Sequence, residues 1–478
     1  MNEILILLAG SLYGLIIGII PSAGATTGLV ALFSFIHYFT DPYLGVIFCM
    51  AVVAASTTGD TYTGVLLGIP GANSAAATMV DGFPLALQGK ATYAITAAVI
   101  TSTVNGLLWG TLTFTLLPYY ANLLMVFGIP ELWAFTMLAL ACVGLISSKY
   151  WIRSLLAVFF GLAIGYIGTD PTTNSDRWTF GWFYLADGVQ LMPVVAGLFA
   201  FPEIIEGFRK GKRLNNTVRN DHTKQTIDGI KAVWQNKWDA LRGGFIGAFV
   251  GLLPGLGGAM SDWMAYGSTV AAHPKEEFGN GNIKGVIGPE GSNNAQKATS
   301  MIPTVLFGIP GAGFAAVLMA LFMSLNFELG TPDLVYDIKF FESMTFGFMW
   351  ATVVVGIFCL IFTQYITKIA YIPFIYYFPL LVIFIIWACV QYTGSWEDYA
   401  ILIIFIIIGI LAKKYKFSRP SILIGFILTE RVESLTLQLT RIYDVNKLAD
   451  RPIFLLLICF IIFLFIYTIV RKNTLDYA

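Results

Sequence analysis

The sequence predicts an all-α polytopic membrane protein of two inverted repeats, with about 10–12 transmembrane segments and broken or re-entrant helices meeting near the midplane. Three observations predict this class. Of the 478 residues, 57% are hydrophobic and 12% charged, whereas soluble domains carry about 25% charged residues. Apolar runs long enough to cross about 30 Å of hydrocarbon recur along the chain. Two motifs in the first half also return in the second half at matching spacing.

The apolar runs account for most of the predicted spanning helices. They are residues 91–117, 131–146, 151–168, 343–368, 373–390, 398–412 and 453–470. The 47 glycines are typical of such proteins, because helices pack closely in lipid through small residues. The net charge of zero gives no indication of a nucleic-acid partner. The five cysteines show no ligand spacing, so we expect no metal site.

Each half begins with an apolar segment that a proline interrupts. Residues 14–21 read GLIIGIIP and residues 247–254 read GAFVGLLP, and a glycine stands three positions after each proline. Proline removes a backbone hydrogen bond, so each lead helix is predicted to break there. The residues beside the first break that we expect to contact substrate are Ser22 and Gly24.

A second motif follows in each half, GVLLGIPGA at residues 64–72 and TVLFGIPGA at residues 304–312. The half-helix after each break presents free backbone N–H groups and the positive end of its dipole, which attract anions. The half-helix before the break ends in free carbonyls, which suit a small cation such as Na⁺. Simple kinking is the alternative for one motif, but two pairs at matching spacing favour function. The predicted substrate-binding residues here are Pro70, Gly71, Ala72, Asn73, Ser74, Pro310, Gly311, Ala312 and Gly313.

Two charged residues lie within apolar surroundings, Asp60 before the first motif and Lys297 before the second. A charge at the bilayer centre costs at least about 2.5–3.5 kcal/mol, so both are functional candidates. Either the two pair in a central cavity, or Lys297 binds a substrate carboxylate or replaces a coupling cation. The alternative is that Lys297 reaches an interface and Asp60 caps a helix. The predicted coupling-ion residues are Thr57, Thr58, Asp60, Asn293, Asn294, Thr299 and Ser300, and Lys297 joins the substrate-binding set.

The basic residues predict the orientation of the chain. Residues 203–242 contain nine basic and five acidic residues, and residues 413–419 form a second basic loop. By the positive-inside rule both lie in the cytoplasm. No Lys or Arg precedes Lys90, so repeat one is expected to start outside and repeat two inside, which makes the repeats inverted.

The predicted organisation follows from this orientation. It consists of a transmembrane repeat at residues 1–202, a cytoplasmic basic connector at 203–242 and a second repeat at 243–478. The stretches 169–180 and 429–450 are expected to be ordered caps or linkers outside the membrane.

An enzymatic function is not expected. Residues 57–60 (TTGD) and the pair Tyr336-Asp337 partly match intramembrane aspartyl proteases, but the required glycine is absent and the order is reversed. No P-loop, nucleophile elbow or metal-ligand spacing is present in the sequence. Without an ATP site, uphill transport draws on an ion gradient, and a channel or stand-alone porter is the alternative transport hypothesis.

Several long motifs in order resemble the large permease subunit of the tripartite tricarboxylate transporters, the TctA-like family, along nearly the whole chain. The main ones are residues 66–91, 285–295 with 302–304, and 308–311, supported by 168–171, 197–203, 425–428 and 451–453. The chain departs from the family at residues 21–24, which read PSAG where PGLG is usual, and at Asp60 and Lys297, where small residues are usual.

The resemblance implies a bacterial cytoplasmic (inner) membrane importer of small carboxylates, coupled to Na⁺ or H⁺ and without another cofactor. It also implies two partners, a small four-helix membrane subunit and an extracytoplasmic solute-binding protein. The lipid bilayer is the surrounding medium, and homo-oligomerisation stays open. The family's signature positions at the Gly-Ile-Pro-Gly and Asn-Asn motifs are expected to line the binding sites.

Overall fold

The protein is almost entirely helical, as the sequence predicts. The structure, a computed structural model, describes residues 2–20, 24–68, 72–126, 128–145, 151–170, 175–202, 205, 222–254, 256–369, 378–391 and 395–475. In the first half the helices are α1 (Asn2–Ile19), α2 (Gly24–Leu32), α3 (Pro42–Leu67), α4 (Thr78–Leu87), α5 (Ala91–Val126), α6 (Ile129–Leu145), α7 (Trp151–Gly165) and α8 (Leu191–Val195). The strands are β1 (Gly168–Thr169) and β2 (Asp176–Arg177), paired antiparallel.

The second half repeats the order of a lead helix, a broken helix and a long outer helix. Its helices are α9 (His222–Gln235), α10 (Lys237–Leu252), α11 (Gly257–Ala272), α12 (Lys284–Thr299), α13 (Gly313–Ser324), α14 (Pro332–Val335), α15 (Ile338–Ile369), α16 (Phe378–Gln391), α17 (Glu397–Lys414), α18 (Arg419–Ile442), α19 (Val445–Ala449) and α20 (Pro452–Leu475). Short 3₁₀ turns occur at Ile36–Tyr38, Asn73–Ala75 and Phe183–Asp187, and π turns at Ala196–Ala200 and Ile302–Leu306.

Several of these helices are apolar enough to lie in a membrane. Within the described residues, four are long enough to cross it: Asn2–Ile19, Pro42–Leu66, Ala91–Leu117 and Ile338–Ile366. Shorter apolar helices accompany them, among them Trp151–Gly165 and Gly313–Ser324. The predicted all-α membrane class is therefore confirmed, while the number of crossings stays a prediction.

The helix breaks lie where the two motif pairs predict them, and each carries a left-handed glycine. The φ angles are 56° at Gly24, 71° at Gly257, 62° at Gly68 and 58° at Gly308. These are equivalent positions of the two halves, and a β-carbon would strain the backbone at each. The predicted breaks at Pro21, Ser22, Pro70 and Gly71 themselves lie outside the described residues.

The same row of glycines packs a lead helix against a broken helix in each half. The two rows are Gly10, Gly14 and Gly18 on α1, and Gly243, Gly247 and Gly251 on α10. The residues that they meet are Phe48, Val52 and Ser56 on α3, and Gly288, Ser292 and Gln296 on α12. The spacing of four and the order of partners agree in both halves, so the sequence duplication is also a duplication of packing.

The outer helix of each half packs against the broken helix of the other half. From the first half, α5 packs on α12, with Gly106 against Asn294; from the second, α15 packs on α3, with Gly347 against Ile47. Each broken helix is therefore enclosed by the other half, which places α3 and α12 at the centre of the protein.

Two segments that are predicted to lie outside the membrane form helices in the described structure. The described part of the connector is helical: α9 lies against α5, with Gly229 beside Thr96, and α10 already begins at Lys237. The predicted linker at 429–450 is largely the end of α18, which continues to Ile442. The side of α9 toward α5 carries the buried Gly229 and Ala232 together with the polar His222 and Gln225, which bond Thr92 and the carbonyl of Gly89.

Candidate functional site

A cluster of buried charges lies where α3 and α12 meet. Asp60, Glu290 and Lys297 are 0%, 0% and 3% exposed. The Lys297 ammonium donates to the hydroxyl of Thr57 and, at 3.5 Å, to the carbonyl oxygen of Val53. The alternative in which Lys297 reaches an interface is therefore wrong, because its side chain ends inside the protein.

The two helices of this cluster run in opposite directions. On α3, Thr57 meets Lys297 and Thr61 meets Glu290, so rising numbers on α3 face falling numbers on α12. Thr57 and Lys297 each stand thirteen residues before the proline of their Gly-Ile-Pro-Gly motif, which makes them equivalent positions. Equivalent helices that cross antiparallel are the geometry expected of inverted repeats.

Asp60 and Lys297 come together without a direct ion pair in the described structure. Their charges and that of Glu290 are close enough to interact. Both carboxylate oxygens of Asp60 nevertheless accept no hydrogen bond from the described residues. Because a buried carboxylate without partners is costly, Asp60 has the capacity to bind a further positive group.

Glu290 is a member of the cluster that the sequence prediction omitted. Its Oε1 accepts a hydrogen bond of 3.0 Å from the Thr61 hydroxyl, and its Oε2 accepts none from the described residues. The helical spacing of Glu290, Asn293, Asn294 and Lys297 was the available signal, because these positions share one face of a helix.

The predicted amide and hydroxyl residues divide into two groups. The side-chain amides of Asn293 and Asn294 are buried and make no hydrogen bond within the described residues, so they are available to a ligand. In contrast, the hydroxyls of Thr299 and Ser300 donate to carbonyls of their own helix, at 3.0 Å to Ala295 and 2.8 Å to Lys297. Thr58 is buried on α3.

At the first break a carboxylate of the other half caps the new helix. The N–H of Ala77, directly before α4, donates to Oδ2 of Asp262 at 2.6 Å, and Oδ1 of Asp262 accepts no bond from the described residues. Ser74 is 8% exposed and touches Gly258 near the start of α11. Ala72 and Asn73 directly precede Ser74, and the backbone of Asn73 begins the short 3₁₀ turn Asn73–Ala75. Asp262, another buried charge, was not among the predicted residues.

The second break combines apolar packing with one partly buried cation, because the guanidinium of Arg431 lies against Gly308 and Gly330. The N–H of Gly311 donates to the Thr304 hydroxyl at 3.1 Å, so this amide is already satisfied. After Pro310 and Ala312, helix α13 buries apolar side chains almost throughout, while Gly313 has open space around its α-carbon. The two breaks thus match in backbone but differ in the charged group beside them, which is the Asp262 carboxylate at the first and the Arg431 guanidinium at the second.

The protease alternative does not fit this geometry. Asp337 accepts a hydrogen bond of 3.0 Å from Tyr43, at the beginning of α3, and Asp60 stands seventeen residues further along that helix. At about 1.5 Å per residue the two aspartates are roughly 26 Å apart along the axis. A catalytic aspartate pair shares one water molecule, so these two do not form one.

Comparison with known proteins agrees with the motifs. The chain is 28% identical to an uncharacterized 52.8 kDa protein in the TAR-I ttuC' 3' region of Agrobacterium vitis over 437 residues, which cover 89% of this chain and 84% of the relative. It is 29% identical to an uncharacterized protein in the TAR-II ttuC' 3' region of the same organism over 190 residues, 39% of this chain and 78% of the relative. No solved structure matches the chain.

A family model covers most of the chain and decides its membership. The model of the tripartite tricarboxylate transporter TctA family matches residues 4–424. That range contains both motif pairs, the connector and the buried charge cluster. The chain therefore belongs to the tripartite tricarboxylate transporter TctA family.

Proposed function

We propose that this protein is the large membrane permease of a binding-protein-dependent secondary transporter, which imports small tri- or dicarboxylates by alternating access. The single observation that carries the proposal is the family match over residues 4–424. The buried cluster of Asp60, Glu290 and Lys297 supports it, because intramembrane charges typically mark ion and substrate pathways. A cation gradient, of Na⁺ or H⁺, supplies the energy.

In the proposed orientation, the protein crosses the bacterial inner membrane several times. Its basic segments lie in the cytoplasm. Arg153 donates to the carbonyl of Tyr415 at 2.8 Å, so the start of α7 and the basic loop after α17 lie at one end. Helices α10 and α11 form a hairpin that returns to its starting side, because His273 bonds Asp239 at 3.0 Å. In this orientation repeat one starts outside and repeat two starts inside.

Substrate binding is proposed at the first break and at the cluster. One substrate carboxylate takes the N–H groups before α4, beside Ser74, where Asp262 now provides the anion. A second carboxylate pairs with Lys297, whose ammonium donates to the hydroxyl of Thr57 and the carbonyl of Val53 and lies 5.8 Å from the centre of the Phe314 ring. The coupling cation uses the oxygen atoms of Asp60 and Asn293, which accept no hydrogen bond from the described residues.

The proposed partners are a small four-helix membrane subunit and an extracytoplasmic solute-binding protein, and a homo-oligomer remains open. The tripartite family supports both. A stand-alone porter is the second candidate, in which the permease alone transports the solute.

Uptake measurements test the proposed function. Proteoliposomes with all three subunits are given radiolabelled citrate or dicarboxylates of four to six carbons, with and without an inward Na⁺ or proton gradient. We expect gradient-dependent uptake of one of these acids and its loss in Lys297→Ala. The matched control is Lys339→Ala, an exposed lysine whose ammonium lies 3.5 Å from Asp41, and this variant keeps full uptake.

Two results contradict the proposal. If none of these acids enters under either gradient, the carboxylate assignment is wrong. If uptake is unchanged when the binding protein is omitted, the stand-alone porter is the correct alternative.

A further inference from the structure

The three buried charges between α3 and α12, those of Asp60, Glu290 and Lys297, are together one positive charge short of neutrality. Asp262 also lies close enough to act on Glu290, but its carboxylate accepts the N–H of Ala77 before α4. Asp60 and Glu290 carry two negative charges when ionised, and Lys297 carries one positive charge. Among the described residues, Lys297 is the one cation whose charge acts on these carboxylates. All three side chains are at most 3% exposed, so they are shielded from bulk solvent. An uncompensated charge in such surroundings costs several kcal/mol.

The atoms left without partners are those that a metal cation prefers. Within the described structure, both oxygens of Asp60, Oε2 of Glu290 and Oδ1 of Asn293 accept no hydrogen bond. The Lys297 ammonium binds Thr57 and Val53 and makes no ion pair with Asp60 in the described part of the chain. Carboxylate and amide oxygens are ligands of hard cations. The Asp60 carboxylate is consequently free for a second, mobile cation.

We propose that Asp60, Glu290 and Asn293 bind one monovalent metal cation, for which Na⁺ is the probe, and that Lys297 acts as a fixed second cation. A deficit of one charge calls for a monovalent ion, and a divalent ion would overcompensate the cluster. The inference rests on the proposed function for the role of this ion in transport. The inference adds where the ion binds, that one ion binds per chain, and why a lysine occupies position 297.

Equilibrium binding of radioactive Na⁺ to the purified permease in lipid nanodiscs tests the site without any carboxylate. We expect saturable binding of one ion per chain with a Hill coefficient near one. Asp60→Asn and Glu290→Gln each make the cluster neutral, so each lowers the affinity at least about tenfold. The matched control is Asp398→Asn, a buried aspartate bonded to Tyr184, which keeps the affinity of the unmodified protein.

A charge rescue distinguishes this role from a general loss of structure. In Asp60→Asn/Lys297→Met and in Glu290→Gln/Lys297→Met the net charge returns to that of the unmodified cluster. Both double variants are expected to bind Na⁺ more tightly than the corresponding single variants. Two double variants are compared so that misfolding of one leaves the other to decide.

The contradicting outcomes separate the inference from the proposed function. Carboxylate uptake by a protein that binds no Na⁺ overturns the cation site and leaves the function intact. Na⁺ binding without uptake of any carboxylate overturns the function and leaves the site intact. The site is also overturned if Asp60→Asn and Glu290→Gln bind Na⁺ unchanged, or if no folded double variant regains affinity.

Discussion

At the scale of single residues, the cost of burying Lys297 decides what its removal does. The side chain is 3% exposed and faces Asp60 and Glu290. Removing one partner of a buried charge set leaves the others uncompensated, which costs about 3–5 kcal/mol. We therefore expect Lys297→Met to lower the free energy of unfolding by that amount in Na⁺-free buffer, measured by denaturant titration in detergent.

The control for this stability measurement is Lys339→Met. This lysine is exposed and its ion pair with Asp41 is solvated, so the change should be at most about 1 kcal/mol. Equal losses in the two variants would show that the charges at α3 and α12 are not coupled.

Asp81 is a second residue whose role follows from its contacts. Its Oδ1 accepts the backbone N–H groups of Gly279, Gly281 and Asn282 at 2.8–3.0 Å, and its Oδ2 accepts the Tyr266 hydroxyl at 3.1 Å. Asp81→Ala leaves these donors unsatisfied and should cost about 3 kcal/mol. Loosening of the loop between α11 and α12 should appear as faster amide hydrogen exchange there.

The matched variant is Asp41→Ala, which removes one partly exposed cap bond to the N–H of Tyr43 and the solvated ion pair with Lys339. It should cost about 1 kcal/mol. If Asp81→Ala costs no more than this control, the carboxylate does not hold the loop.

The sequence alone predicts some residues of the site and misses others, depending on the residue type and on where its contacts lie. Asp60 and Lys297 were found because a charge in an apolar run is conspicuous in one dimension. Glu290 lies in a more polar stretch, and its proximity to Thr61 depends on how two distant helices cross. Asp262 belongs to α11 but caps α4 of the other half, a contact that no local pattern contains.

At the scale of elements, the glycine rows fix how closely the helices approach. A β-carbon on Gly18 or Gly251 would overlap backbone oxygens of Ser56 or Gln296. We expect Gly18→Ala and Gly251→Ala each to destabilise the protein by about 1–3 kcal/mol, because neither helix backbone has room to yield. Thermal unfolding monitored by intrinsic fluorescence measures this loss.

Gly267 provides the comparison, since it lies within α11 and has nothing within 4 Å of an added β-carbon. Gly267→Ala should be neutral or stabilise by up to about 1 kcal/mol, as expected from helix propensity. A loss equal to that of Gly18→Ala would contradict the packing argument.

The element boundaries show what sequence patterns convey. The breaks were predicted because proline and glycine change the backbone directly, and Gly68 and Gly308 adopt the conformation that this requires. The end of α18 was missed because its last turns are polar, with a helical repeat that a search for apolar runs ignores.

At the scale of the whole molecule, the proposed orientation predicts which sites are accessible from which side. Lys231 on α9 and Asp333 on α14 are both exposed, and they lie on opposite sides in the inverted arrangement. In a Cys459→Ser background, where the other cysteines are buried, a membrane-impermeant thiol reagent should label Asp333→Cys from outside in intact cells. Lys231→Cys should react only after the membrane is opened. Labelling of both from outside would refute the inversion.

The inverted orientation of the two repeats could be predicted from the sequence only by counting charged residues. The way in which the helices cross could not be predicted. Which face of α3 meets α12 depends on the simultaneous fit of Thr57 to Lys297 and of Thr61 to Glu290. The spacing of the motifs shows the duplication in the sequence. The packing of α5 and α15 around the broken helix of the other half is visible only in the folded structure.

The two helix breaks differ in their surroundings. This difference indicates how the opposite-facing state of the proposed transport cycle would be built. At one break a carboxylate caps a ten-residue helix, and at the other a twelve-residue apolar helix is buried from Phe314 to Phe322. Since the halves share a backbone plan and point in opposite directions, giving each half the conformation of the other yields a second conformer from the same chain. In the proposed alternating-access cycle, that conformer would have the cap at α4 released and the packing around α13 loosened.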